Sequence, residues 1–174
     1  MPAAREVFAR HPNPVLIETG TYKGDAIAAA LEAGFSEVRS VELSLQLHQD
    51  AAGRFAGDGR VLLWLGHSAE RLPEMLAGVV TPATFWLDAH YSGGLTAGDA
   101  DQCPLLAELA AIAAHPINTH TILIDDVRQF GREMPVTSAQ AKAALLAINP
   151  DYAIALEQSG DPGLGLDILV ARPA

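Results

Sequence analysis

The chain has 174 residues, 49% of them hydrophobic, with a formal net charge of -10 and one cysteine. That length suits one domain, residues 1–174, with a full sheet and its helices. Only 11 Lys and Arg stand among 21 acids, which excludes the clustered basic surface that holds nucleic acid and leaves small molecules as the expected substrates.

The lone Cys103 allows no disulfide framework and suits a reducing cytoplasm. The opening residues MPAAREVFARHPN lack the apolar centre of a signal peptide. No apolar run approaches the roughly 20 residues needed to span a bilayer, so a cytoplasmic protein without a membrane partner is expected.

In chain order, residues 3–10 predict about two turns of helix, with Val7 and Phe8 apolar, ended by His11, Pro12 and Pro14. This helix is short for a cap over a substrate. Pro14 to Glu42 then reads as strand, turn, helix, strand. Val15 to Ile17 is apolar and β-branched in part, Gly20 and Gly24 punctuate a turn, Ala26 to Ala33 is rich in helix formers, and Gly34 stops the helix. Such a unit aims a helix N-terminus and its bare amides at a ligand lying over the strand ends, and Glu42 stands where an acid accepts hydrogen bonds from a ribose diol.

Ser44 is a candidate N-cap for a helix over Leu45 to Phe55, ended near Gly57 and Gly59. Arg60 to Leu65 predicts a third strand, and Ser68 caps the next helix with Arg71 in place of the capping-box acid. Ala83 to Asp88 predicts a fourth strand. The glycine-rich polar stretch AHYSGGLTAGDADQCP after it is too long for a plain connection and is expected to act as a mobile lid. A helix over Leu105 to Ala114 follows Pro104, and His120 to Asp125 is apolar enough for a central strand. Ala139 to Ile148 is helical, and Tyr152 to Leu156 and Leu166 to Val170 form a closing hairpin around SGDPGLG. Strands alternating with helices give an α/β sheet covered on both faces.

The turn E-T-G-T-Y-K-G-D departs from the dinucleotide fingerprint, because Tyr22 occupies the position where a pyrophosphate needs bare backbone. A ligand without a pyrophosphate, such as S-adenosylmethionine (SAM), tolerates a side chain there. Here the chain resembles the class I SAM-dependent methyltransferases, nearest the E-x-G-x-Y-x-G pattern of the catechol and caffeoyl-CoA type O-methyltransferases and of the macrocin and novobiocin type sugar O-methyltransferases. The resemblance implies a Rossmann-like sheet of seven strands ordered 3-2-1-4-5-7-6, the seventh antiparallel. It also implies that Glu18 and Gly20, with Tyr22 and Gly24 in the same turn, face the methionine part of SAM, Glu42 the ribose and Ser68 the adenine. A plain βαβ crossover, with the glycines merely making the turn, is the alternative.

Acids end four strands: Glu18, Glu42, Asp88, and the Asp125, Asp126 pair. If the fourth and fifth strands are neighbours, Asp88, Asp125 and Asp126 crowd together, and oxygen-only ligands suit Mg²⁺ or a similar hard ion. The metal-dependent O-methyltransferases place acids in these contexts, so the resemblance implies Asp88, Asp125 and Asp126 as ligands. Consecutive strand residues point to opposite faces, so the chain must turn at Asp126 for both acids to meet, and a turn cap or an ion pair with Arg128 is the competing role. His90, two residues after Asp88, titrates near neutrality and suits a general base, a metal ligand or a plain loop position.

Together these features predict SAM-dependent methylation of a small hydroxylated molecule, with Asp88 and His90 at the reacting centre. The alternative is a SAM or nucleoside-binding protein of the same fold without methyl transfer, such as a lyase, a hydrolase or a sensing subunit. A homodimer is the expected source of a second wall for the acceptor.

Overall fold

A computed structural model of the chain describes residues 2–88, 103–159, 161 and 163–174. The expected lid over 89–102 lies outside the described residues. The strands are β1 (Val15–Thr19), β2 (Glu37–Glu42), β3 (Val61–Leu65), β4 (Thr84–Leu87), β5 (Thr121–Ile124), β6 (Tyr152–Gln158) and β7 (Leu166–Pro173). The helices are α1 (Pro2–Arg10), α2 (Asp25–Ala33), α3 (Leu45–Arg54), α4 (Ser68–Leu76), α5 (Leu105–Ala113) and α6 (Ser138–Ile148).

All seven strands join one sheet in the order β3-β2-β1-β4-β5-β7-β6, as the resemblance implied. β1 to β5 pair in parallel, and β7 runs antiparallel between β5 and β6. Both faces are covered, which is why the central strands read as apolar runs rather than as alternation. One face carries Val7, Phe8, Ile27 and Ala30 of α1 and α2 against Leu16, Trp86 and Leu123. The other carries Leu72, Leu109 and Leu145 of α4, α5 and α6 against Ile17, Phe85 and Ile124. Each such fully buried leucine or phenylalanine contributes roughly 1.5–3 kcal/mol relative to exposure.

The N-terminal helix is part of this core. Phe8 is fully buried and meets Trp86 edge to face, with ring centroids 5.3 Å apart, so α1 seals the sheet instead of covering a substrate. α4 also departs from expectation: His67 takes the N-cap position without a side-chain cap bond, and Ser68 is the first helical residue, buried and turned inward. α6 starts one residue earlier than expected because Thr137 and Gln140 form a full capping box.

Parallel pairing brings the carboxyl ends of β1 to β5 to one rim. The ladder continues just past the strands, with Asp88 N–H donating to Thr19 C=O and Asp125 N–H to Leu87 C=O, both at 3.2 Å. The acids at positions 88 and 125 therefore stand beside each other at the end of neighbouring strands, where ligands bind in open α/β sheets.

Candidate cofactor site

The turn after β1 is built around positive φ angles: 90° at Gly20, 47° at Tyr22 and 77° at Gly24. Gly24 is the N-cap of α2, and a Cβ there would lie 2.6 Å from Phe55 Cε2, so conformation and space both require glycine. Gly20 and Thr21 both donate to Val41 C=O, which folds the turn over the end of β2. Tyr22, whose left-handed backbone is unusual for an aromatic residue, points its N–H at Glu42 Oε2 at 2.8 Å. Ser44 N–H donates to Glu42 Oε1, also at 2.8 Å. Glu42 is thus buried at the rim with each carboxylate oxygen held by one backbone amide. Each of those oxygens retains a second lone pair, so the pair is oriented for a diol.

Glu18 lies one strand inward. Register pairs it with Ser40 of β2, and the Ser40 hydroxyl donates to Glu18 Oε2 at 2.5 Å while the Thr21 and Ser40 hydroxyls meet at 2.6 Å. Burial pushes the Glu18 carboxyl up to about 8; the Ser40 bond opposes the shift, and the charges of Asp88 and Glu42 add to it. Near neutral pH it holds a proton until a cation takes that place.

On the opposite face of β1, Thr19 points toward Glu108 of α5, a residue that sequence patterning missed. Glu108 is buried between the Ser68 and Thr19 hydroxyls and Asp88; burial pushes its carboxyl up to about 7, those hydroxyls hold it down in part, and Asp88 raises it. Even so, Glu108 Oε1 and Thr19 Oγ1 have no hydrogen-bond partner of good geometry. A small cleft lined by Leu87, Asp88, Cys103, Leu105, Glu108 and Ile124 opens beside them. The available signal was the spacing of Leu105, Glu108, Leu109 and Ile112, which puts one acid on the buried stripe of a helix.

The expected metal trio, Asp88, Asp125 and Asp126, stands just past the ends of β4 and β5. Asp126 has φ 58°, so the chain does turn there as required, but the turn carries its carboxylate toward β7. Asp125, Asp126 and Asp167 offer oxygens within 4.8 Å of one another, and Asp88 is not in that group. Arg128 Nη1 contacts both Asp126 Oδ1 and Asp167 Oδ2. The Arg128 backbone N–H donates to Asp167 Oδ1 at 2.8 Å, and Gln129 Nε2 to Asp126 Oδ2 at 3.1 Å. Oxygen ligands suit a hard ion in kind, yet the Arg128 guanidinium already stands between Asp126 and Asp167 and neutralises them, which opposes a divalent cation there. Asp125 is half-buried, and burial, then Asp88 and Asp126, push its carboxyl up to about 7. His90, the expected base, lies outside the described residues.

No protein-family model matches the sequence, and no curated protein matches it. Solved structures do match along nearly the whole chain. An O-methyltransferase from Bacillus cereus in complex with S-adenosylhomocysteine (SAH) superposes with a TM-score of 0.67 at 14% identity, covering 97% of this chain and 78% of that one. The fold is that of the class I SAM-dependent methyltransferases. O-methyltransferase TomG from Streptomyces achromogenes, in complex with SAM, gives a TM-score of 0.65 at 14% identity over 98% of this chain and 78% of that one. A ribosomal protein L11 methylase from Lactobacillus delbrueckii subsp. bulgaricus gives 0.60 at 16% identity over 98% and 77%. Those names span different acceptors, so the methyltransferase fold does not choose among them. SAM fits the residues present: Glu42 for a diol, Glu18 for an ammonium, and the uncapped N-terminus of α2 for a carboxylate.

Proposed function

We propose that the protein is a SAM-dependent methyltransferase acting on the hydroxyl of a small molecule. The observation that carries this is the Glu42 carboxylate, clasped by the Tyr22 and Ser44 amides at 2.8 Å each beside a turn of positive-φ residues. Each of these oxygens keeps a lone pair at the ligand rim of the sheet, where a diol can donate to both.

When bound, SAM supplies an activated sulfonium methyl, and the products are SAH, the methyl ether and a proton. The chain supplies the rest. Glu42 holds the ribose, and Glu18 releases its proton to pair with the amino group. Ser68, buried at the start of α4, stands on the side assigned to the adenine. The acceptor proton passes to a base at the end of β4, where Asp88 stands and His90 follows two residues on. Orientation of the acceptor oxygen in line with the methyl group and exclusion of water provide the rate.

One observation favours the alternative of a SAM-binding protein without methyl transfer: α1 is buried in the core, so no cap over an acceptor is built from it. Incubation with SAM and a panel of phenols and sugars, read by mass spectrometry, separates the two. A methylated acceptor establishes the transferase, whereas SAM breakdown without any acceptor establishes the alternative.

A further inference from the structure

We propose that Arg128 is the resident counter-ion of Asp126 and Asp167 and that the protein holds no divalent cation between them. The residue grips one buried carboxylate twice, through its backbone N–H on Asp167 Oδ1 and through Nη1 on Asp167 Oδ2, across 39 residues of chain. The same Nη1 reaches Asp126 Oδ1. Gln129, one residue on, takes the last oxygen, Asp126 Oδ2. The space between the Asp126 and Asp167 carboxylates is therefore filled by a guanidinium whose own backbone is fixed to Asp167. An ion touching Asp126 and Asp167 would face Nη1 across those oxygens, and the two cations repel. Mg²⁺ also demands near-octahedral geometry with several waters, for which a guanidinium in the cluster leaves no room. Asp167 is 1% exposed, so removing its pairing would leave a buried charge uncompensated. Arginine is suited to the task because it stays charged at all relevant pH and presents a planar fork to two carboxylates.

The experiment uses the full chain without SAM, so its outcome is independent of the methyltransferase reading. Mn²⁺ is titrated against EDTA-treated protein by calorimetry, and melting temperatures are followed in parallel. Wild type is expected to show no saturable binding up to millimolar Mn²⁺ and no shift in melting temperature. Arg128→Gln is expected to melt several degrees lower in EDTA, to recover with Mn²⁺, and to bind the ion at least tenfold more tightly than wild type. Arg128→Lys, which keeps a cation, is expected to remain insensitive. Saturable submillimolar binding by wild type that Asp126→Asn removes would overturn the proposal, and that arm stands even if Arg128→Gln fails to fold. A folded Arg128→Gln with no gain in Mn²⁺ affinity would overturn it too.

Discussion

The Ser40 hydroxyl reaches across the β1–β2 pairing and donates to Glu18 at 2.5 Å, at a point where the carboxyl is otherwise cut off from water. The bond favours the charged carboxylate, but burial outweighs it, so the acid waits in the protonated form. A cationic ligand must displace that proton, so binding of SAH is expected to strengthen as pH rises toward about 8 and to level off above it. Calorimetry at several pH values checks this. Glu18→Gln should bind more weakly and lose the pH dependence on that side.

Glu42→Ala removes the acceptor for the Tyr22 and Ser44 amides together with the expected ribose contact. Hydrogen bonds to a charged group are worth roughly 1.5–3 kcal/mol, so SAH affinity should fall at least about tenfold. The melting temperature should also drop, because two amides at the rim lose their partner.

Glu18, Glu108 and Asp125 all have carboxyls raised in the folded chain, to about 8, 7 and 7. The folded state therefore keeps protons that the unfolded state has released, and stability falls as pH rises from the ordinary carboxylate range through 7 to 8. Chemical denaturation across that range should show the decline. Glu108→Gln, which is neutral throughout, should flatten it.

His120 has the opposite sign. It is fully buried, its Nδ1 accepts from Ala83 N–H at 3.0 Å, its Nε2 meets His115 Nδ1 at 3.1 Å, and burial, then His115, push it down to about 4. The Ala83 bond requires the neutral ring. Stability from this group is whole above the ordinary histidine value of 6.5 and is lost as pH falls from there through about 4. Imidazole resonances of His120 followed by NMR should titrate only near the acid end, together with unfolding.

Gly24→Ala should cost about 1–3 kcal/mol, since the added methyl meets Phe55 at 2.6 Å and φ 77° disfavours any side chain. Combining it with Phe55→Leu should recover the steric part and leave the conformational part, as a double-mutant comparison by urea unfolding would show.

What the sequence made visible were features encoded locally. The Pro14 to Glu42 unit was legible because glycines, helix formers and a strand-end acid follow one another within a single supersecondary element, and Glu42 sits where that pattern put it. Glu108 was not, because an acid in LLAELAAIA reads as a surface position until its helix is docked. Asp167 was invisible for a topological reason: β7 runs antiparallel, so its first residues lie at the rim where β5 ends, with Leu169 opposite Ile124. The choice of Asp126 between an ion and Arg128 depends on a backbone turn and a cross-sheet partner, neither of which spacing reports.

The insertion of β7 between β5 and β6 bears on how the chain is assembled during synthesis. β6 emerges before β7 but cannot dock beside β5, whose edge is reserved for residues still to be added. The inner edge of β5 thus waits unpartnered, and Arg128 waits for its Asp167 partner, until residues 166–173 arrive. A ribosome stalled before that point would expose an open sheet edge and a guanidinium lacking Asp167 at the rim. Ligand binding there is consequently a property that matures late, and truncation before β7 should yield aggregation instead of a smaller working protein.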